Sequence, residues 1–333
     1  TLAENERTCS FCGGRLEEWE GQTEDSEEIT VVEVSYKVVK HRRQKYRCQC
    51  DTQVVTAPGP DKLIPGGRYS VELAVHVAEK KYLDHMPLER QVRAMERRGL
   101  LTDSQTLWDQ KKALADHLQP TYLALCERAL SAKVILADET YWKLLGAKNE
   151  TCRWWAWCVA TEDTAAYRII TSRSARSAEK LLGGYEGVIM TDGYGAYQSL
   201  ARAGPKIILA HCWAHVRRKF VEAEDAYPDL SQQAVELIGR LFEVERQLPR
   251  LTPGMSDEER RDALDTRARV RNEQSRPVVK QLLEWAVAIE GRVLPKSKMG
   301  KAVAYMLKLW EGLTRFLDDP RVPLDNNGAE RAL

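Results

Sequence analysis

The sequence has almost no surplus of either charge: 50 Lys and Arg face 49 Asp and Glu, a formal net charge of +1. That excludes a uniformly basic nucleic-acid coat, although local basic patches survive the averaging. It has no apolar run near the roughly 20 residues needed to cross a bilayer, so a transmembrane helix is excluded. With 43% apolar residues and only 20 Gly and 13 Pro, it is neither disordered nor collagen-like. An initiator Met is missing, and no charged-then-apolar leader follows Thr1. A cytoplasmic protein, incomplete at its start, is the expectation. What is there, over 333 residues, is enough chain for two or three domains.

Four of the eight cysteines fall in the first fifty residues, as Cys9-x-x-Cys12 and Cys48-x-Cys50. In a reducing compartment paired cysteines bind metal more often than each other. Gly13 and Gly14 suit a tight knuckle whose amides face the thiolates. Between the pairs, Ile29 to Val39 and Lys45 to Arg47 alternate and read as the two strands of a hairpin. Residues 1–60 therefore predict a zinc-ribbon-like domain holding Zn2+ through Cys9, Cys12, Cys48 and Cys50; reduced structural cysteines are the other reading. Charge is segregated here, with seven acids and no bases in 17–28 and six bases and no acids in 37–47. Lys40, Arg42, Arg43, Lys45 and Arg47 form a candidate DNA-contacting basic strand, or a solvated edge strand blocked by its charges.

Prolines 58, 60 and 65 with Gly66-Gly67 mark a linker. Residues 61–130 then read as helices: Val71 to Tyr82 by spacing, and Leu88 to Arg98 after Pro87 with a C-cap at Gly99. A third opens at a Thr102-x-x-Gln105 capping box. The arrangement resembles a helix-turn-helix segment for DNA, though many helical hairpins bind nothing.

Two apolar runs end in acid: Val134 to Asp138, and Gly187 to Asp192 before Gly-Tyr-Gly. Strands ending in Asp put carboxylates at one sheet edge, a costly arrangement unless cations or donors compensate it. Trp154 to Ala160 and Ala166 to Thr171 read as further strands, Ala175 to Leu182 as a helix, and Lys206 to Ala210 as a last strand. A meander followed by βα units is the order of a ribonuclease H-like core, an α/β mixed sheet, at 131–211. A pair of Mg2+ (or Mn2+) ions in such a site needs a third carboxylate. Glu330 is the candidate, in the first turns of a helix capped by Asp325 or Asn326 at 323–333. The 137 residues between Asp192 and Glu330 exceed any loop. Helical spacing at Leu237 to Leu248, Val279 to Ile289 and Val303 to Leu317 makes 212–322 a helical insertion. At its start Cys212 and His215 lie three apart, hence on one helical face, beside Arg217, Arg218 and Lys219, which are candidate DNA contacts. A role beside the acidic site is expected for the pair, with packed core as the other reading. Each carboxylate taken singly is equally well an ordinary turn or first-turn acid.

Taken together the motifs resemble a known family. Cys9-x-x-Cys12-Gly-Gly, Ile64-Pro-Gly-Gly67, Lys81 to Leu88, Ala137-Asp-Glu-Thr140, Thr191 to Tyr197, His211 to Phe220, Trp310 to Asp319 and Asp325 to Leu333 follow in order. They are similar to those of bacterial transposases of the insertion sequence 66 family, of the Asp-Asp-Glu type. The resemblance implies Asp138, Asp192 and Glu330 as the catalytic triad, an N-terminal zinc domain, and a helical insertion before Glu330. It implies Mg2+-dependent cleavage of double-stranded DNA at transposon ends and strand transfer into target DNA. It further implies a homo-oligomer in a synaptic complex and companion proteins from the same element. The second knuckle departs from the usual Cys-x-x-Cys, and the chain is expected to be the central part of a longer protein. A catalytically inactive end-binding protein or repressor is the alternative.

Overall fold

A computed structural model describes residues 3–18, 20–21, 27–29, 34–49, 53–145, 151–204 and 206–333. It divides into two compact units, Thr1–Asp116 and His117–Leu333.

In the first unit a tight turn spans Cys9 to Gly14, closed by Cys9 N–H to the Gly14 carbonyl at 2.8 Å and Gly13 N–H to the Cys9 carbonyl at 2.9 Å. Strands β1 (Lys45–Arg47) and β2 (Val54–Thr56) pair antiparallel, Tyr46 opposite Val55. The hairpin thus lies across the second cysteine pair and not between the two pairs. The described residues 34–39 form no strand, and 30–33 lie outside the described residues. Only Lys45 and Arg47 of the five basic residues are in a strand; Lys40, Arg42 and Arg43 sit on irregular chain, and all five are exposed.

Helix α1 (Val71–Tyr82) starts at Ser70, whose hydroxyl accepts the Leu73 N–H. Helix α2 (Leu88–Arg97) ends before Gly99, which adopts φ +81° as a left-handed stop requires. The next helix, α3 (Ser104–Ser131), is capped by Asp103 and not by Thr102: Asp103 Oδ1 accepts the Thr106 N–H at 2.8 Å. The other Asp103 carboxylate oxygen accepts the Thr106 hydroxyl at 2.9 Å, and Gln105 turns instead to Asp109. Val77, Leu88, Met95 and Leu107 form the small core of this unit, and the division between the units falls within α3.

The second unit is built on a five-stranded mixed sheet in the order β5-β4-β3-β6-β7. Its strands are β3 (Val134–Leu145), β4 (Thr151–Ala160), β5 (Ala165–Ile170), β6 (Gly187–Thr191) and β7 (Ile207–His211). β3, β4 and β5 form an antiparallel meander; β6 and β7 run parallel to β3. The strand carrying Asp138 does not end there. It continues seven residues to Leu145, paired residue by residue with β4 as far as Leu145 opposite Thr151. What does stop near Asp138 is the parallel pairing to β6, whose last described step is Leu136 opposite Met190.

Period-two alternation sends Ile135, Ala137, Ile189 and Ile207 to one face, where α4 (Ala175–Leu182), α5 (Gly195–Ala203) and the end of α3 cover them with Ala129, Leu182 and Tyr197. Met190, Ala210 and Val188 face the other way, into the larger core. There lie α6 (Trp213–Val221), α7 (Pro228–Gln247), α8 (Asp257–Val270), α9 (Arg276–Glu290), α10 (Lys298–Lys308) and α11 (Trp310–Asp318). Helix α12 (Asn327–Ala332) returns to the sheet. Helix α8 has no apolar periodicity to signal it, because of its residues only Ala263 and Arg267 are buried. It opens at a Ser256–Glu259 capping box and runs through a π turn, Arg271–Ser275, into α9. The π turn buries Arg271 completely. Its guanidinium grips Glu245 of α7 by two bonds of 2.6 and 2.9 Å and donates to the Phe316 carbonyl of α11 at 2.7 Å. A buried charge is thereby paired and hydrogen-bonded on every side.

Candidate active site

Continuing the β3–β6 register two residues beyond Leu136 and Met190 brings Asp138 level with Asp192, which directly follows β6. Across β4, Asp138 is opposite Cys158; one step past Thr191 and His211 brings Asp192 level with Cys212. Residues level on neighbouring strands share a face, so one row crosses the sheet as Cys158, Asp138, Asp192 and Cys212.

Helix α12 lies over this row. Ala329 packs against Cys158 and Ala160, and Tyr167 of β5 donates to the Ala332 carbonyl at 2.5 Å. Asn326, fully buried, sits at the N-cap position but does not cap with its side chain. Its Nδ2 donates to the Ala137 carbonyl at 3.1 Å, and its backbone N–H to Cys212 Sγ at 3.2 Å. Asp325 takes over the local capping, accepting the Asn327 N–H at 3.0 Å. At Gly328 any Cβ would meet Leu136 Cδ2 at 2.9 Å, so glycine lets this helix close on β3. Glu330 is thus carried to the face of the two aspartates.

The electrostatics record the convergence. Asp138 is pushed up to about 6, chiefly by burial, with added repulsion from Glu139, Asp192 and Glu330; the Glu139 N–H opposes the rise. Asp192 is held by a turn in which its Oδ1 accepts the Tyr194 N–H at 2.8 Å, and Gly193 takes φ +87°. Tyr305 of α10 donates to the Asp192 carbonyl. Glu330 Oε1 lies 3.6 Å from His215 Nε2, and Glu330 Oε2 lies 4.0 Å from Arg218. Glu330 Oε1 is buried without a hydrogen-bond partner. Among the described residues, no three or more His, Cys, Asp or Glu side chains are arranged to hold a metal ion.

Cys212 precedes α6 as its N-cap residue, and His215 lies three positions on in the first turn of that helix. Both touch the segment bearing Glu330. Burial pushes the Cys212 thiol up to about 11, so it acts as a neutral acceptor for Asn326. Arg217, Arg218 and Lys219 are exposed on α6.

One buried group escaped the sequence reading. Glu139, beside Asp138 on the opposite face of β3, accepts from Tyr197 at 2.6 Å and from Arg173 Nε at 2.6 Å. Burial raises its carboxyl while the tyrosine and guanidinium pull it down. Arg173 also reaches toward Asp192, at 3.9 Å. The signal was present as the acid next to Asp138, but its partners lie 34 and 58 positions away.

In the first unit, Cys9 Sγ accepts backbone N–H bonds from Cys12 and Phe11, which lower its thiol toward the thiolate. Amides converging on a thiolate suit a soft dication such as Zn2+. Cys12 and Cys48 are exposed; Cys50 lies outside the described residues.

Residues 66–333 match the family described as "Transposase IS66 family". The chain belongs to that family. Its residues 6–51 match the zinc-finger binding domain of IS66 transposases, in keeping with the knuckle at Cys9. Among curated relatives, the uncharacterized protein y4jD of Sinorhizobium fredii (strain NBRC 101917 / NGR234) is 33% identical, with 98% of this chain and 65% of the relative covered. The uncharacterized protein y4qI of the same strain is also 33% identical, over 92% of this chain and 58% of the relative. The chain spans less than two thirds of the length of these relatives. No solved structure matches. No helix of the described residues is long and apolar enough to cross a membrane.

Proposed function

We propose that this chain is the cutting and joining part of an Asp-Asp-Glu transposase with a ribonuclease H-like core, and that Asp138, Asp192 and Glu330 are its catalytic carboxylates. The supporting observation is the level row on the sheet: two aspartates from adjacent parallel strands, with the helix of the third carboxylate lying over them. The strand order, a three-stranded meander extended by two parallel strands, supports the core assignment.

The donor chemistry suits a divalent cation, Mg2+ or Mn2+, although Asp138, Asp192 and Glu330 are not gathered into a ready-made metal site and would have to draw together around the ion. The set consists of hard carboxylate oxygens, one of Glu330 orphaned in the interior, and the Asp138 carboxyl raised chiefly by burial and further by neighbouring charge. Asp138, Asp192 and Glu330 would hold the ion, which would supply charge neutralisation and a more acidic water. The protein's own groups do the positioning. Tyr194 and Tyr305 fix Asp192, Asn326 fixes the helix of Glu330, and Arg218, more than half exposed beside Glu330, would be available to a phosphate. The reaction is hydrolysis of a phosphodiester at the element's end, then attack of the resulting 3′-hydroxyl on target DNA. The partners are double-stranded DNA, a second copy in a synaptic complex, and companion proteins of the same element. The zinc domain would hold Zn2+ through Cys9, Cys12, Cys48 and Cys50, with the bases from Lys40 to Arg47 and Arg217 to Lys219 on DNA.

In a cleavage assay on element-end DNA with Mg2+, Asp138→Asn abolishes nicking while end binding by gel shift is retained. Unchanged nicking would overturn the assignment. The competing reading, an end-binding protein without cleavage, rests on the pairing of Glu330 with His215 and Arg218; absence of nicking in the unsubstituted chain would favour it.

A further inference from the structure

Beyond the carboxylates, the opposite face of the β3–β4 hairpin carries aromatic and cationic groups that no step above uses. Register places Lys143 opposite Arg153, Tyr141 opposite Trp155, and Glu139 opposite Trp157. These six alternate residues share one face, the one away from Asp138. Moving inward along it, Lys143 and Arg153 are exposed. Tyr141 is 45% exposed and meets Trp155 edge to face, with ring centroids 5.8 Å apart. Arg173 lies over the Trp155 ring at 5.0 Å and over the Tyr194 ring at 3.9 Å. It is anchored by the buried Glu139 and reaches toward Asp192. The result is a continuous ladder from an exposed basic pair to the edge of the carboxylate row.

A structural stack would bury its tyrosine and would not need an outer pair of like charges. Lys143 and Arg153 face each other across the strands at some cost in repulsion, which an anion between them would relieve. The face alternates rings with cations, the pattern by which proteins hold single strands: bases stack on rings and phosphates meet the positive groups. We propose that Tyr141, Trp155 and Arg173, with Lys143 and Arg153, form a track for an unpaired DNA strand next to the scissile phosphate. The proposal rests on the functional reading for the placement of that phosphate, but binding to the track is measured without cleavage.

The test uses fluorescence anisotropy without added divalent cation, comparing a blunt duplex with the same duplex bearing a single-stranded extension of about five thymidines. The unsubstituted chain prefers the extended duplex. Tyr141→Ala weakens binding of the extended duplex by about fivefold or more and leaves the blunt duplex unchanged. Tyr141→Phe, which keeps the ring, retains the preference. Equal affinities of the unsubstituted chain and Tyr141→Ala for extended DNA, or an equal loss on both duplexes, overturn the track. Loss of nicking in Asp138→Asn with no effect of Tyr141→Ala keeps the functional reading and removes the track. Nicking retained in Asp138→Asn, with the preference lost in Tyr141→Ala, does the reverse.

Discussion

Asp138 shows what the clustering of carboxylates costs. Its carboxyl titrates near 6 in the folded chain against 3.8 when exposed, so between those values the native state binds more protons than the unfolded one. Stability therefore falls as pH rises through that window. The shift corresponds to about 3 kcal/mol at most, cut to about 1–2 kcal/mol because the group is partly solvated. Asp138→Asn, which cannot ionise, is expected to melt above the unsubstituted chain at pH 8 and close to it at pH 4; thermal denaturation at both values checks this. Added Mg2+ is expected to narrow the difference at pH 8 by stabilising only the chain with the carboxylate. His211 titrates the other way. Burial lowers it to about 4, so its contribution is full above about 6.5 and is lost as pH falls toward 4.

At the scale of elements, the long helical excursion is held to the sheet at a few points. Gly312 of α11 lies against the His211 ring, where a methyl group would overlap it. Gly312→Ala is expected to destabilise the chain by about 1–3 kcal/mol or more, read as a lower denaturation midpoint. Arg271→Ala leaves the partly buried Glu245 with only Arg267 as its partner and is expected to cost about 3 kcal/mol. Arg271→Lys recovers only part, since an ammonium cannot reproduce the forked contact. These elements also mark what was legible in the sequence. Helices α1 and α4 and strand β6 announced themselves through periodicity and the Gly-Tyr-Gly turn. Helix α8 did not show by periodicity, because it docks by Arg260 and Arg267, which pair with Glu162 and Glu245, instead of by an apolar stripe. Strand β3 read too short because a catalytic-looking acid resembled a strand end. The pairing of β1 with β2 joins strands on either side of the second cysteine pair, where the alternation of 29–39 pointed elsewhere. Of the site, Asp138, Asp192 and Glu330 were legible as residues. The Glu139–Arg173–Tyr197 group was not, being assembled from three separate elements.

Over the whole molecule, near-neutral charge conceals specialised regions. The exposed bases from Lys40 to Arg47 lie in the unit that ends at Asp116, whereas the carboxylate row lies in the other. Neutralising Lys40, Arg42 and Arg43 together is expected to flatten the dependence of log affinity on log salt by about 0.9 for each phosphate that no longer meets a cation. Nicking of pre-bound DNA should persist. Titration of anisotropy against salt measures the first, and a single-turnover nicking assay the second.

The docking of α12 carries a further consequence, for the order in which the chain is made. Asn326 fastens this helix to Ala137 and Cys212, residues synthesised 189 and 114 positions earlier. A chain still emerging from the ribosome folds its sheet and most of its helices first. It acquires the third carboxylate only with its last described turn, after the whole excursion has packed. Incomplete chains consequently hold two acids and no closed group, so assembly of the site reports that synthesis has passed residue 330.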